Sequence, residues 1–142
     1  MKHYLFVSSA VVAVLAGTLA TPARANECDK LTYVTFSGPV ALPGVALPAG
    51  TYQFTHPDCE MATHVLRVAS QDGTKTYGTF LTIPDHRAMP DRRTEVLFAE
   101  MSPGAPEAIT AWFYSGETSG DRLIYPRHEA AQVAKAPVQR HS

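Results

Sequence analysis

The sequence predicts an all-β protein: an antiparallel β-sandwich, or a small barrel, with a short C-terminal helix. Two observations carry this expectation. About seven short runs rich in Val, Thr, Tyr and Phe follow one another, each stopped by Pro, Gly or Asp-Gly. No helical segments alternate with them, so nothing supplies the crossovers of a parallel sheet. No linker divides residues 26–135, which read as one domain.

Residues 1–25 read as a secretory signal peptide. Lys2 and His3 precede an apolar run from Tyr4 to Ala16, and Ala23-Arg24-Ala25 supplies the small residues a signal peptidase fits, with cleavage before Asn26. The apolar run is shorter than the ~20 residues that span a bilayer. The full chain has 142 residues, 12 of them Lys or Arg and 13 Asp or Glu. Removing Lys2 and Arg24 leaves 10 basic against 13 acidic residues, or −3. That balance offers no basic face to nucleic acid, and no later stretch is apolar enough to be transmembrane. The expected location is periplasmic or secreted, with no cofactor.

Cys28 and Cys59 make an even pair in an exported chain, which reads as one disulfide. A bridge closing a loop of that size contributes about 3.5–4 kcal/mol on chain-entropy grounds. Spacing alone does not separate this bridge from two separate thiols. Asn26-Glu27 ahead of Cys28 is not a lipidation signal, which needs small or apolar residues there.

In order, residues 31–36 have strand composition and partial alternation, and Ser37-Gly38-Pro39 stops them. Val40-Ala41-Leu42-Pro43-Gly44 nearly repeats as Val45-Ala46-Leu47-Pro48-Ala49, giving two short extended pieces, each turned by a proline. Pro48 and Gly50 form a turn into the strand Thr51-Tyr52-Gln53-Phe54, with Tyr52 and Phe54 on one face and the Tyr52 hydroxyl near the sheet edge. Residues 56–63 are a polar connection. Residues 64–69 and 75–83 are strands joined by an Asp72-Gly73 hairpin, and Pro84 is expected to end the second.

Residues 85–93 form a charged loop, 94–99 a strand, 102–106 a loop, and 108–114 a strand carrying the only Trp. Residues 115–120 turn the chain into a last strand at 122–125. Residues 127–135 are helical in composition, too short to stand alone in water, and 136–142 read as a flexible tail.

His56-x-x-Cys59-x-Met61-x-x-His64 brings together soft-metal ligands, so His56, His64 and Met61 are candidate metal ligands, though Cys59 is expected in the disulfide. Asp85-His86 sets a carboxylate beside an imidazole, but neighbours on an extended chain point to opposite sides. Arg87, Arg92 and Arg93 form a local basic patch diluted by Asp85 and Asp91. Trp112 and Tyr114 share one strand face and form a candidate sugar platform, with Arg87 and Arg92 as further contacts. There is no nucleophile elbow, phosphate loop or His-Glu-x-x-His, so no catalytic residue is assigned.

Thr35-Phe36 with Pro39-Val40, then Leu47-Pro48-Ala49-Gly50-Thr51-Tyr52, Asp72-Gly73-Thr74, Ile83-Pro84-Asp85-His86-Arg87, Ala111-Trp112-Phe113-Tyr114 and Tyr125-Pro126 occur in that order. Over about residues 31–135 this pattern resembles a family of small exported bacterial proteins with no assigned biochemical function. The resemblance implies a signal peptide and a β domain, and no catalytic residues. In that family a tyrosine often stands in the place of His86. The Leu-Pro-Ala-Gly-Thr-Tyr segment is also similar to prealbumin-like and carboxypeptidase regulatory-like β-sandwich modules.

The functional expectation is an exported non-catalytic protein with a binding or structural role in the cell envelope. Its alternatives are a carbohydrate-binding module using Trp112 and Tyr114, with a glycan partner, and a periplasmic metal-binding protein using His56 and His64.

Overall fold

The computed structural model describes residues 30–57 and 64–141. The expected signal peptide, Cys28, Cys59 and Met61 lie outside the described residues. Ten strands and one helix occur in order: β1 Thr32–Phe36, β2 Val40–Leu42, β3 Val45–Leu47, β4 Gly50–Thr55, β5 Val65–Ser70, β6 Thr76–His86, β7 Glu95–Ala99, β8 Glu107–Phe113, β9 Ser119–Leu123, α1 Arg127–Val133 and β10 Val138–His141. No helix among the described residues is long and apolar enough to cross a membrane.

The strands form one connected sheet in the order β1-β4-β5-β6-β9-β8-β2-β3, with β7 pairing β8 and β10 pairing β7. No ladder joins β1 to β3, so the sheet is open and the expected small barrel is corrected. The sheet is also mixed rather than purely antiparallel. β2 runs parallel to β8, with Val40 opposite Glu107 and Ala41 opposite Ala108. The tight turn at Gly44 carries β3 to the outer edge, so β2 lies between β3 and β8. The long stretch of chain from β2 to β8 provides the return that a parallel neighbour requires.

β6 is longer than expected because it belongs to two ladders. It pairs with β5 as far as Leu81 and with β9 from Thr82 to His86. The Thr82 amide donates to the His64 carbonyl (2.9 Å), and the Ile124 amide donates to the Leu81 carbonyl (3.1 Å). Pro84 does not end the strand. It sits where β6 has left β5 and pairs with β9 alone, so its missing N–H has no second partner to lose.

Bulges decide which side chains face the core. Leu97 opposes Ala111 and Phe98 opposes Ile109, leaving Thr110 as the extra residue. Ile109 and Trp112, three apart, therefore both join the core. The Thr110 hydroxyl donates to the Leu97 carbonyl at 3.1 Å. Rings from β1 and β4 meet rings from β7 and β8: Phe36 lies 6.0 Å from Phe98, and Phe54 lies 6.1 Å from Trp112. Tyr52 is buried as expected, and its hydroxyl donates to the Pro48 carbonyl at 2.7 Å.

The C-terminal helix forms as expected but ends at Val133 and has no buried residue. It is held by polar contacts on its flank. The Gly44 amide donates to Glu129 at 3.3 Å. The Tyr125 hydroxyl, just before the helix, donates to Ile109 O at 2.7 Å and lies 3.2 Å from Ala41 O, fastening β2 to β8. Burial, and secondarily the Glu129 charge, push the Tyr125 phenol well above its ordinary pKa.

The segment read as a flexible tail is instead β10, antiparallel to β7, with Val138 opposite Ala99. Beside it the Glu100 amide donates to Pro137 O at 2.8 Å. The edge of β7 would otherwise be open, and four residues of extended chain cover it. Residues 136–142 read as a tail in the sequence because local signals do not show that edge.

The β5–β6 hairpin turn has Gly73 at φ 74°, as Asp-Gly requires. Asp72 Oδ1 accepts from the Ser70 hydroxyl, the Thr74 amide and the Thr74 hydroxyl at 2.6, 3.1 and 2.8 Å. These bonds, the one from Ser70 first, hold its carboxyl at about 2, below the ordinary 3.8. The turn's contribution to stability is full above the ordinary value and is lost as pH falls through about 2. Carboxyl ¹³C titration is expected to place Asp72 lowest among the exposed aspartates of the described residues.

A Cβ at Gly120 would overlap a Phe113 ring carbon and lie 2.6 Å from the Trp112 carbonyl oxygen, which cannot move aside. Nothing lies within 4 Å of a Cβ at Gly38. In urea denaturation, Gly120→Ala is expected to cost about 2–3 kcal/mol. Gly38→Ala should stay within about 0.5 kcal/mol of the parent.

Candidate functional site

One expected metal ligand, His56, and one expected sugar-platform residue, Trp112, meet at a buried polar cluster. His56 comes just after β4, Asp121 lies on β9 and Thr82 on β6. His56 Nε2 is 3.2 Å from Asp121 Oδ2, and the two side chains are 9% and 13% exposed. His56 Nδ1 lies 3.1 Å from the Val65 carbonyl oxygen. The Thr82 hydroxyl donates to Asp121 Oδ1 at 2.7 Å. The His56 ring rests on Trp112 at 5.4 Å.

Both imidazole nitrogens face protein acceptors, and both carboxylate oxygens are engaged. The carboxylate also stands between the hydroxyl and the imidazole. A nucleophilic triad needs the imidazole in the middle, beside the hydroxyl. The cluster instead fastens the ends of β4 and β5 to β6 and β9.

His64 is exposed and contributes its carbonyl to the β5–β6 handover rather than a side chain to His56. Among the described residues no group of three or more His, Cys, Asp or Glu is placed to hold a metal ion. Met61 lies outside them.

Trp112 is 1% exposed, so its ring offers no face to a sugar. Its indole N–H is buried with no hydrogen-bond partner among the described residues. Tyr114 is half-buried and meets Trp112 edge-on at 6.4 Å. The aromatic trio read as a possible platform is therefore largely core, because β8 is covered on both faces.

Arg87 is likewise internal, with a side chain 8% exposed. Its Nε donates to Glu117 O at 2.7 Å, Nη1 to Glu95 Oε2 at 3.2 Å, and Nη2 to Tyr114 O at 3.1 Å and Asp91 O at 3.3 Å. The guanidinium also lies 5.4 Å over the Phe113 ring. This clamp ties the loops on either side of β7 and β8 together and engages four of the guanidinium's five N–H donors. Arg92 is exposed and separate, and its carbonyl accepts from the Ser115 hydroxyl at 2.6 Å. Asp85 pairs with Arg122 at 2.5 Å, and its other oxygen accepts from the His86 amide at 2.8 Å, so it does not orient the exposed His86 ring.

A concave surface that the motifs do not indicate runs along β1. It encloses about 440 Å³ and is lined by Tyr33, Val34 and Phe36 of β1, Val96 and Phe98 of β7, and Glu107 at the head of β8. Its volume lies within the ordinary range for ligand sites. Glu107 makes no ion pair among the described residues, and Tyr33 on the rim is 55% exposed. The sequence signal is faint: one carboxylate at a strand start after Pro106, and a Thr-Tyr-Val-Thr-Phe strand without charge.

No family model, curated protein or solved structure matches this chain.

Breaking a buried ion pair costs more than the pair contributes, because the surviving charge is left unpaired. Arg87→Ala is expected to lower unfolding free energy by about 3 kcal/mol in denaturant titration. Arg92→Ala, one loop away, is expected to change it by less than about 0.5 kcal/mol.

Proposed function

We propose that the protein is an exported, non-catalytic β-sandwich protein that acts by binding in the cell envelope. The observation that carries this reading is the groove beside β1, with an apolar floor and, at one end, a carboxylate without an ion-pair partner among the described residues. Support for the non-catalytic part comes from the His56–Asp121–Thr82 cluster, whose polar atoms are consumed by one another and by the backbone. The sandwich reading is supported by the Phe36–Phe98 and Phe54–Trp112 contacts, in which rings from the two halves of the sheet meet. Export is supported by the leader-like residues 1–25. A glycan reading through Trp112 is not favoured, since that ring is buried.

Two measurements in cells test the proposal. Mass spectrometry of fractionated cells is expected to find a chain starting at Asn26 in the periplasm or medium. A cytoplasmic chain starting at Met1 overturns export. A photo-crosslinking phenylalanine analogue at Tyr33, on the groove rim, is expected to give a discrete envelope adduct. The same analogue at Ile124, exposed just after β9, should not. Identical adducts from both positions, or none from Tyr33, overturn binding through the groove.

A further inference from the structure

Unpaired edges among the described residues include the outer side of β1, the outer sides of β3 and β10, the first half of β6 on one side and its second half on the other, where β5 has ended. Unpaired strand edges are templates for another chain, and proteins blunt them by shortness, proline, charge or bulges. All of these but the first are blunted. β3 has three residues and runs into Pro48. β10 has four and carries Arg140, whose side chain is 76% exposed. The first half of β6 comes after Lys75 and is distorted by the irregularity opposite Val68 and Ala69, and its second half carries Pro84 and Asp85.

β1 is different. Its five residues, Thr-Tyr-Val-Thr-Phe, are all strand formers, with no charge and no proline, and its ladder to β4 is regular throughout. It is also the edge that borders the groove. A strand added there would turn alternate side chains onto Val34, Val96 and Phe98, and the others outward beside Tyr33 and Thr35. Glu107 is the one charged side chain lining the groove among the described residues. It disfavours a second copy that would bring another Glu107 close, and it favours a cation.

We infer that β1 takes up an extended peptide segment of another protein as an added strand, with alternate apolar side chains in the groove and a lysine or arginine at Glu107. The inference rests on the binding reading above and names the partner class for the same groove. Main-chain bonds to β1 supply affinity, and the groove and Glu107 supply register.

The test uses protein purified from cells and short fluorescent peptides of alternating Val and Thr. One peptide carries Lys and another Glu at the same end position. Two further Lys peptides carry N-methyl groups on alternate backbone amides, in the two possible phases. The Lys peptide is expected to bind about fivefold tighter than the Glu peptide, a preference that Glu107→Gln removes. One N-methyl phase is expected to weaken binding by about tenfold while the other leaves it unchanged, since only one side of an added strand bonds to β1. Amides of residues 32–36 should gain hydrogen-exchange protection.

Equal binding of the two N-methyl phases overturns strand addition. No binding up to about 1 mM does so as well. A charge preference that survives Glu107→Gln overturns the carboxylate's part, with circular dichroism confirming that the variant is folded. The wider binding reading is judged separately, by the Tyr33 adduct in cells.

Discussion

Because β6 leaves β5 at Leu81 and joins β9 at Thr82, one strand holds both halves of the sheet. The handover is made by two main-chain bonds, from Thr82 to His64 and from Ile124 to Leu81. The packing of the core depends on it. The first half carries Phe36 and Phe54, and the second carries Phe98 and Trp112, and these rings meet only if β6 continues through both ladders. Pro84 makes this possible by sitting where a second ladder partner is absent.

Polar side chains that look reactive in the sequence are spent on holding that arrangement. Asp121 on β9 joins Thr82 on β6 to His56 beyond β4, so one carboxylate ties three parts of the chain. Arg87 does the same for the loops around β7 and β8, reaching three carbonyls and Glu95. Buried polar groups are costly unless satisfied, which makes such clusters specific about register. Trp112 Nε1 is one of four buried side-chain polar atoms without a hydrogen-bond partner among the described residues, with Thr32 Oγ1, Thr55 Oγ1 and Arg67 Nε.

The strands are legible in the sequence where two signals agree. Tyr52 and Phe54 alternate after a Pro-Gly turn, and Asp72-Gly73 marks a hairpin that the structure contains at that place. Local signals fail where a distant neighbour decides the outcome. Pro84 reads as a stop, and only the absence of a second partner lets the strand continue. Val138–His141 reads as a tail, and only the open flank of β7 makes it a strand. The parallel β2–β8 pairing has no local signature at all. Site residues mislead for a related reason. Arg87 reads as surface charge because a solvated arginine and one enclosed by carbonyls share the same letter. The groove at Glu107 leaves only a faint signal in the sequence because its walls come from strands far apart along the chain.

The β2–β8 pairing has a consequence for how the chain acquires its shape. β2 is near the beginning of the described chain, yet one of its two neighbours is β8, and Tyr125, later still, fastens both. Contacts between such distant segments close slowly, since loop entropy is lost before they reward it. An emerging chain lacking everything beyond residue 106 could zip β1, β4, β5 and the start of β6, while the Val40–Leu47 hairpin waited undocked. Completion is thus deferred until nearly the whole polypeptide is available, a late-closing topology rather than one assembled progressively from its first residues.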